Sequence, residues 1–144
     1  MTGARPRAPT ARPPVLLRAT ILWVAICALA IGNGAVREAA LEPALGPTLG
    51  LVTSGLLLSV LVLAVAYAGA PCYGRQPATV LAALGVYWLV LTVAFELVLG
   101  VLVLRQSGDE LLAQYSPAGG NLWLLVLATI TIAPWLAARL RRLI

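Results

Sequence analysis

The chain has 144 residues, of which 61% are hydrophobic and 10% are charged. Soluble globular domains carry about 25% charged residues, so this composition excludes a water-soluble domain as the main part of the chain. The net charge of +5 comes from ten arginines and five acids, and the sequence has neither lysine nor histidine. Histidine-dependent catalytic triads, HExxH zinc sites and lysine-containing phosphate-binding loops are therefore excluded as well.

Apolar residues gather into four blocks, at about residues 15–36, 49–68, 78–104 and 122–138. Each block is long enough to cross a hydrocarbon core of about 30 Å at a helical rise of about 1.5 Å per residue. Lipid cannot satisfy backbone amides, and continuous apolar blocks lack the alternation of barrel strands, so the spans must be helices. We predict an all-α polytopic membrane protein whose domain, residues 15–144, is a four-transmembrane-helix bundle.

The first 14 residues, MTGARPRAPTARPP, contain four prolines and three arginines. They predict a disordered cytoplasmic tail. The basic lead, the apolar block and the triplet Ala28-Leu29-Ala30 also resemble a secretory signal with a cleavage site. Apolar character continues to Val36, however, and a block of about 20 residues suits a membrane span better than the 7–15 residues of a signal core. We expect the first span to be retained.

The arginines indicate the orientation of the spans. Eight of them flank the spans on one side: Arg5, Arg7, Arg12, Arg18, Arg75, Arg139, Arg141 and Arg142. Only Arg37 and Arg105 fall on the other side. Because cytoplasmic flanks carry the arginine excess, we predict a bacterial inner-membrane protein with both termini in the cytoplasm. The basic charge is thus a topology signal and does not indicate nucleic-acid binding.

Three connections join the predicted spans. The two external segments, residues 37–50 and 105–121, each combine acids with a short apolar stripe, which predicts short interfacial helices in the external loops. Asn121 is suited to cap the fourth helix. The cytoplasmic connection GAPCYGRQP, residues 69–77, is short and predicts that the second and third spans are antiparallel neighbours. The two cysteines, at different depths, are expected to be free thiols.

Small residues recur every four positions along the second span. They form two series, the first being Gly46, Gly50 and Ser54 and the second Gly55 and Ser59. Small residues at this spacing let another helix approach closely in lipid. They predict a helix-packing face, with a partner either within the chain, which we favour, or in a second copy.

A glutamate interrupts the third apolar block in the stretch TVAFELVLG, residues 92–100. At about 100° per residue, Gly85, Thr92 and Gly100 lie on the same helical face as Glu96. Small and polar residues around a carboxylate are typical of a face turned toward the bundle interior. A charge facing lipid would cost several kcal/mol, so Glu96 must be protonated, hydrated or paired.

Arg37 and Asn33 are the predicted partners of Glu96. Both lie near the end of the first span, at about the depth of Glu96 and on the same external side. We predict that the three residues form a polar cluster in the outer half of the bundle. Three interpretations stay open at this point: a structural ion pair, a relay or substrate site at Glu96, and hydration of Glu96 from the outer interface.

Several short motifs resemble one group of proteins. NGAVRE near the end of the first span, FELVLG in the third, NLW at the start of the fourth and AP and RLRR near its end are similar to motifs of small bacterial four-helix membrane proteins with no assigned activity. The resemblance implies the fold and no reaction.

The sequence leads to two hypotheses about function. The first is a structural or accessory membrane subunit that associates with itself or with a membrane-protein partner in the lipid bilayer. The alternative is a small proton- or ion-coupled transporter using Glu96. We predict no enzymatic activity, no cofactor and no metal site, because no catalytic or metal-binding motif is found.

Overall fold

The computed structural model describes residues 13–144, so nearly all of the tail predicted at residues 1–14 lies outside the described residues. In chain order the helices are α1 (Val15–Val36), α2 (Glu42–Leu45), α3 (Pro47–Tyr73), α4 (Ala78–Val98), α5 (Gly108–Ala113) and α6 (Trp123–Leu140). Two π-helical turns, Arg37–Leu41 and Leu99–Val103, continue α1 and α4, and Ala118–Gly120 forms a 3-10 turn. Residues 13–144 contain no β-strand.

Four helices are long and apolar enough to cross a membrane, which confirms the predicted fold class. They are Val15–Leu45, Pro47–Tyr73, Ala78–Val103 and Trp123–Leu140. The second is longer than the predicted block at 49–68. Pro47 suits the first helical turn, where its missing N–H is no loss. At the other end the helix passes Pro71 and stops at Gly74, whose φ of 70° ends the helical path.

The long helices run alternately up and down, and the order around the bundle is α1, α3, α6, α4. α3 packs mainly on α6 and α1, α4 packs mainly on α6, and α1 meets α4 over a smaller area. The prediction that the second and third spans are neighbours was wrong, because α3 and α4 make no substantial contact in the described part of the chain. Their connection, residues 74–77, joins helices that lie diagonally across the bundle.

The two halves of the chain have the same organisation. In each, a long helix continues into a π-helical turn, a short helix follows, and a second long helix returns. Each of the two loops contains a short helix, as predicted, although α2 continues directly from α1 through the π-helical turn. α5 begins with a capping box between Ser107 and Glu110. We call the end of the bundle with these loops the long-loop end, and the end with residues 74–77 and both chain termini the short-loop end.

The tightest packing lies toward the short-loop end. Trp88 is fully buried there, and its indole Nε1 donates to the carbonyl of Ala19 at 2.9 Å. Ala66 and Ala133 are also fully buried. A side chain at Gly85 would overlap the carbonyl oxygen of Thr131, so α4 and α6 are in backbone contact here. The helices therefore close on one another through small residues.

The predicted packing residues of α3 lie at several contacts. A Cβ at Gly50 would reach Glu42, and one at Gly55 would reach Leu122 at 2.8 Å. Ser59 is buried and bonded to its own helix backbone. Gly46, in contrast, is not on a packing face. It lies between α2 and α3 with φ 83° and open space around its Cα, so its role is the turn.

Large apolar side chains cover the outer surface of the long helices. Examples are Ile31, Val60, Val90 and Leu102, each at least 59% exposed. Soluble monomers rarely expose large contiguous apolar patches.

Candidate functional site

A cavity of about 550 Å³ lies between the four long helices toward the long-loop end. Every long helix contributes to its wall, and the loop around α5 contributes Gln106 and Gln114. Its principal polar lining residues are Asn33, Arg37, Ser54, Thr92, Glu96 and Trp123. The three residues predicted to form a polar cluster thus line one cavity, although they do not bond to one another.

Glu96 accepts two hydrogen bonds from neutral donors. The Tyr115 hydroxyl donates to Oε2 at 2.8 Å, and the Trp123 indole Nε1 donates to the same oxygen at 3.1 Å. The other oxygen, Oε1, receives no hydrogen bond from any residue between 13 and 144, and it is not among the buried unpaired atoms. The carboxylate is therefore held by one oxygen, and its second oxygen is free to bind.

Tyr115 lies in the loop after α5, and its hydroxyl acts as a hydrogen-bond donor to Glu96. Burial, the hydrogen bond to Glu96 and the negative charge of that carboxylate raise the pKa of Tyr115 to about 12. The hydroxyl thus keeps its proton at neutral pH. The contact links the α5 loop to α4 across 19 residues of sequence.

Arg37 does not pair with Glu96, so the predicted ion pair was wrong. Its Nη2 bonds Glu38 at 3.2 Å, and its Nε lies 3.2 Å from Glu42 Oε1, although this second contact is not aligned as a hydrogen bond. The π-helical turn that begins at Arg37 is the physical reason. Its i to i+5 spacing brings Glu42 next to Arg37, so the guanidinium finds local carboxylates before it can reach α4.

Asn33 contacts α3 instead of Glu96. Its side-chain nitrogen donates to the Ser54 carbonyl at 3.1 Å and to the Ser54 hydroxyl at 2.8 Å. A carbonyl can only accept, so the amide orientation is settled by chemistry. The opposite atom, Oδ1, is buried without a donor, and the residue is only 7% exposed. Asn33, which also lines the cavity, therefore holds a buried acceptor with no donor among residues 13–144.

Thr92 connects the cavity to the packed core. The Trp23 indole donates to its hydroxyl at 3.0 Å, and the hydroxyl donates to the Trp88 carbonyl at 2.7 Å. The ring of Trp23 also meets Phe95, which lines the cavity, edge to face. These contacts hold α1 and α4 together below Glu96.

The charged side chains that line the cavity are mainly acidic. Among residues 13–144 they are Glu38, Glu42 and Glu96, opposed by Arg37 alone. Since Arg37 already contacts the other two glutamates, Glu96 is the carboxylate without a cation. In residues 13–144 no group of three metal-ligating side chains could hold a metal ion.

Sequence reasoning did not find Tyr115 and Trp123. Trp123 opens α6, and Leu122 rather than the predicted Asn121 occupies the N-cap position. The Asn121 side chain lies one residue earlier and accepts a bond from the Trp123 backbone N–H at 2.9 Å. A comparison of predicted membrane depth could have suggested both residues, because each follows the third span and lies on the same side of the membrane as Glu96. The neutral donor predicted for Glu96 was Asn33, which bonds Ser54 instead.

No protein-family model matches this chain, and neither the curated proteins nor the solved structures that were searched contain a significant match. The site is therefore interpreted from its own geometry.

Proposed function

We propose that the protein is a multi-pass integral protein of the bacterial cytoplasmic membrane with both chain ends in the cytoplasm. The four apolar helices and their apolar outer surface support insertion. Five described arginines lie at the short-loop end, namely Arg18, Arg75, Arg139, Arg141 and Arg142, whereas the long-loop end has two arginines and all five acids. The arginine excess supports a cytoplasmic short-loop end.

Cys72 provides a test of this orientation. It is exposed beside the connection at the short-loop end, whereas Cys27 lies within α1. In a Cys27→Ala variant, a membrane-impermeant maleimide should label Cys72 in inverted vesicles and not in intact cells. In a variant that lacks both native cysteines, Asp109→Cys should give the opposite pattern. Labelling of Cys72 in intact cells would overturn the orientation.

Within that membrane, the function that the geometry supports best is a small proton- or ion-coupled transporter using Glu96. One observation carries the proposal: Glu96 borders a cavity, has only neutral partners and keeps one oxygen free. An intramembrane carboxylate that can gain and lose a proton or a cation is the usual coupling group of such proteins. Because of this cavity we propose transport ahead of the accessory role that the sequence favours.

The experiment is ion or proton flux in proteoliposomes with purified protein. Glu96→Gln keeps the shape of the side chain and an acceptor for its two donors, but it removes the charge. Wild-type protein should dissipate an imposed gradient, and Glu96→Gln should not exceed empty liposomes. Asp109→Asn, which changes an exposed acid outside the cavity, should behave as wild type.

A second candidate is a structural or accessory subunit that associates with itself or with a membrane-protein partner. It is supported by the bonds of Glu96, which link α4, the α5 loop and the start of α6 and would stabilise the bundle without any transport. Loss of the protein from cells in the Glu96→Gln variant, together with absence of flux in the wild type, would favour this role. Purification in mild detergent would then identify the partner.

A further inference from the structure

We infer that the cavity binds a small protonated primary amine, with the ammonium group on Glu96 and the apolar body between the four helices. This inference rests on the proposed function, because it names the class of solute that would be carried. It follows from the charge, acceptors, walls and size of the cavity.

The charge of the cavity favours a cation. Three of the four charged residues that line it within residues 13–144 are glutamates, and the fourth, Arg37, contacts Glu38 and Glu42. Tyr115 and Trp123 stabilise the Glu96 carboxylate by hydrogen bonds but bring no positive charge. A cationic ligand would supply the charge that Glu96 lacks.

The donor set favours an organic cation over a metal ion. Hard metal cations take about six or more oxygen ligands, and residues 13–144 offer no group of three metal-ligating side chains. An alkylammonium ion requires fewer oxygens, because apolar and aromatic walls accommodate its carbon atoms. The aromatic side chains of Phe95 and Trp123 line the cavity with Glu96, and aromatic walls suit the carbon atoms of an organic cation.

Two unpaired acceptors favour an ammonium that carries N–H groups. One is Glu96 Oε1, and the other is Asn33 Oδ1, which is buried without a donor on a residue that is 7% exposed. A buried acceptor without a donor is costly, and an arriving N–H can remove that cost. A quaternary ammonium has no N–H and cannot do so.

The cavity has the size and polarity for such a ligand. Its volume of about 550 Å³ falls within the range of about 300–1,000 Å³ for small-molecule sites. Away from Glu96 the walls are formed by apolar side chains, including Ile26, Leu58, Val126 and Ile130. The ligand is therefore amphipathic, with its charged end toward the long-loop end.

Two glycines of α1 provide a matched pair of variants. Gly34 lines the cavity, and a Cβ there meets no atom within 4 Å, so Gly34→Leu would fill ligand space without a clash at the Cβ. Gly32 is equally open but does not line the cavity. Gly32→Leu therefore controls for the added leucine. This pair keeps the inference testable even if Glu96→Gln does not fold.

The test is titration of the purified full-length protein in detergent with n-butylammonium chloride. Binding is measured by the change in tryptophan fluorescence and by the shift in thermal unfolding temperature. Wild-type protein should bind n-butylammonium at least about tenfold more tightly than tetramethylammonium or n-butanol. Gly34→Leu and Glu96→Gln should each weaken binding about tenfold or more, while Gly32→Leu and Asp109→Asn stay within about twofold.

Equal binding of tetramethylammonium, or unchanged binding in Gly34→Leu, would overturn the inference. Absence of amine binding alongside a Glu96-dependent ion or proton flux would overturn the inference and leave the proposed function standing. Amine binding that depends on the cavity, without flux of amine, ion or proton, would support the inference and overturn the proposed transport function.

Discussion

Glu96 and Tyr115 share a hydrogen bond of 2.8 Å although 19 residues separate them in the chain. The bond joins a long apolar helix to the loop that covers its end. Trp123, at the start of α6, donates to the same carboxylate oxygen at 3.1 Å. A single oxygen of Glu96 therefore connects three segments, and the second oxygen accepts no hydrogen bond from residues 13–144.

Replacing Glu96 with alanine should destabilise the protein more than replacing it with glutamine. Alanine leaves the Tyr115 hydroxyl and the Trp123 indole without an acceptor, which should cost about 1–3 kcal/mol. Glutamine keeps an acceptor oxygen and should lose less. Unfolding in mixed micelles, titrated with dodecyl sulfate, measures both variants, and equal stability of alanine and wild type would contradict the contacts.

Charge exchange should identify the true partner of Arg37. Arg37→Glu should lower stability by no more than about 1 kcal/mol, because its ion pairs are partly exposed. Adding Glu42→Arg should recover part of that loss, since the two side chains lie 3.2 Å apart. Adding Glu96→Arg should not. Recovery only when Arg37→Glu is combined with Glu96→Arg would instead support the ion pair between Arg37 and Glu96 that the sequence predicts.

Tyr115 should titrate later than an exposed tyrosine. Its pKa is raised from 10.0 to about 12 by burial and by Glu96, so the folded protein holds this proton more tightly than the unfolded chain. The stability from this proton is complete below pH 10 and is lost as the pH rises toward 12. Tyrosinate absorbance of wild type minus Tyr115→Phe should show the delayed step, and a difference centred at pH 10 would contradict it.

A methyl group at Gly85 should be far more harmful than one at Gly34. The Gly85 Cβ would overlap the Thr131 carbonyl oxygen, and backbone cannot move aside as a flexible side chain can. Gly85→Ala should cost about 1–3 kcal/mol or more, whereas Gly34→Ala, with open space, should be neutral or slightly stabilising. Similar unfolding curves for the two variants would contradict the close packing of α4 on α6.

Much of the architecture could be predicted from local patterns. The apolar blocks predicted four long helices, and α1 begins and ends at the predicted residues. Helix ends are harder to predict, because they depend on the local backbone conformation. α3 passes Pro71, which suggested an earlier end, and stops only after Tyr73, at Gly74. Neighbour relations could not be predicted from loop length, because residues 74–77 are long enough to connect diagonal helices.

The sequence by itself determined the class of structure and the residues that needed partners. Hydrophobic length and the scarcity of charge dictate long apolar helices, and a carboxylate among them has to be satisfied whatever the packing. Only the tertiary structure decided which groups satisfy it. Arg37 is held by Glu38 in its own π-helical turn and by Glu42 directly after it, and Asn33 is held by Ser54. Tyr115 and Trp123 are therefore the donors to Glu96. Depth along a helix is a local property, whereas direction across the bundle depends on how all four helices pack.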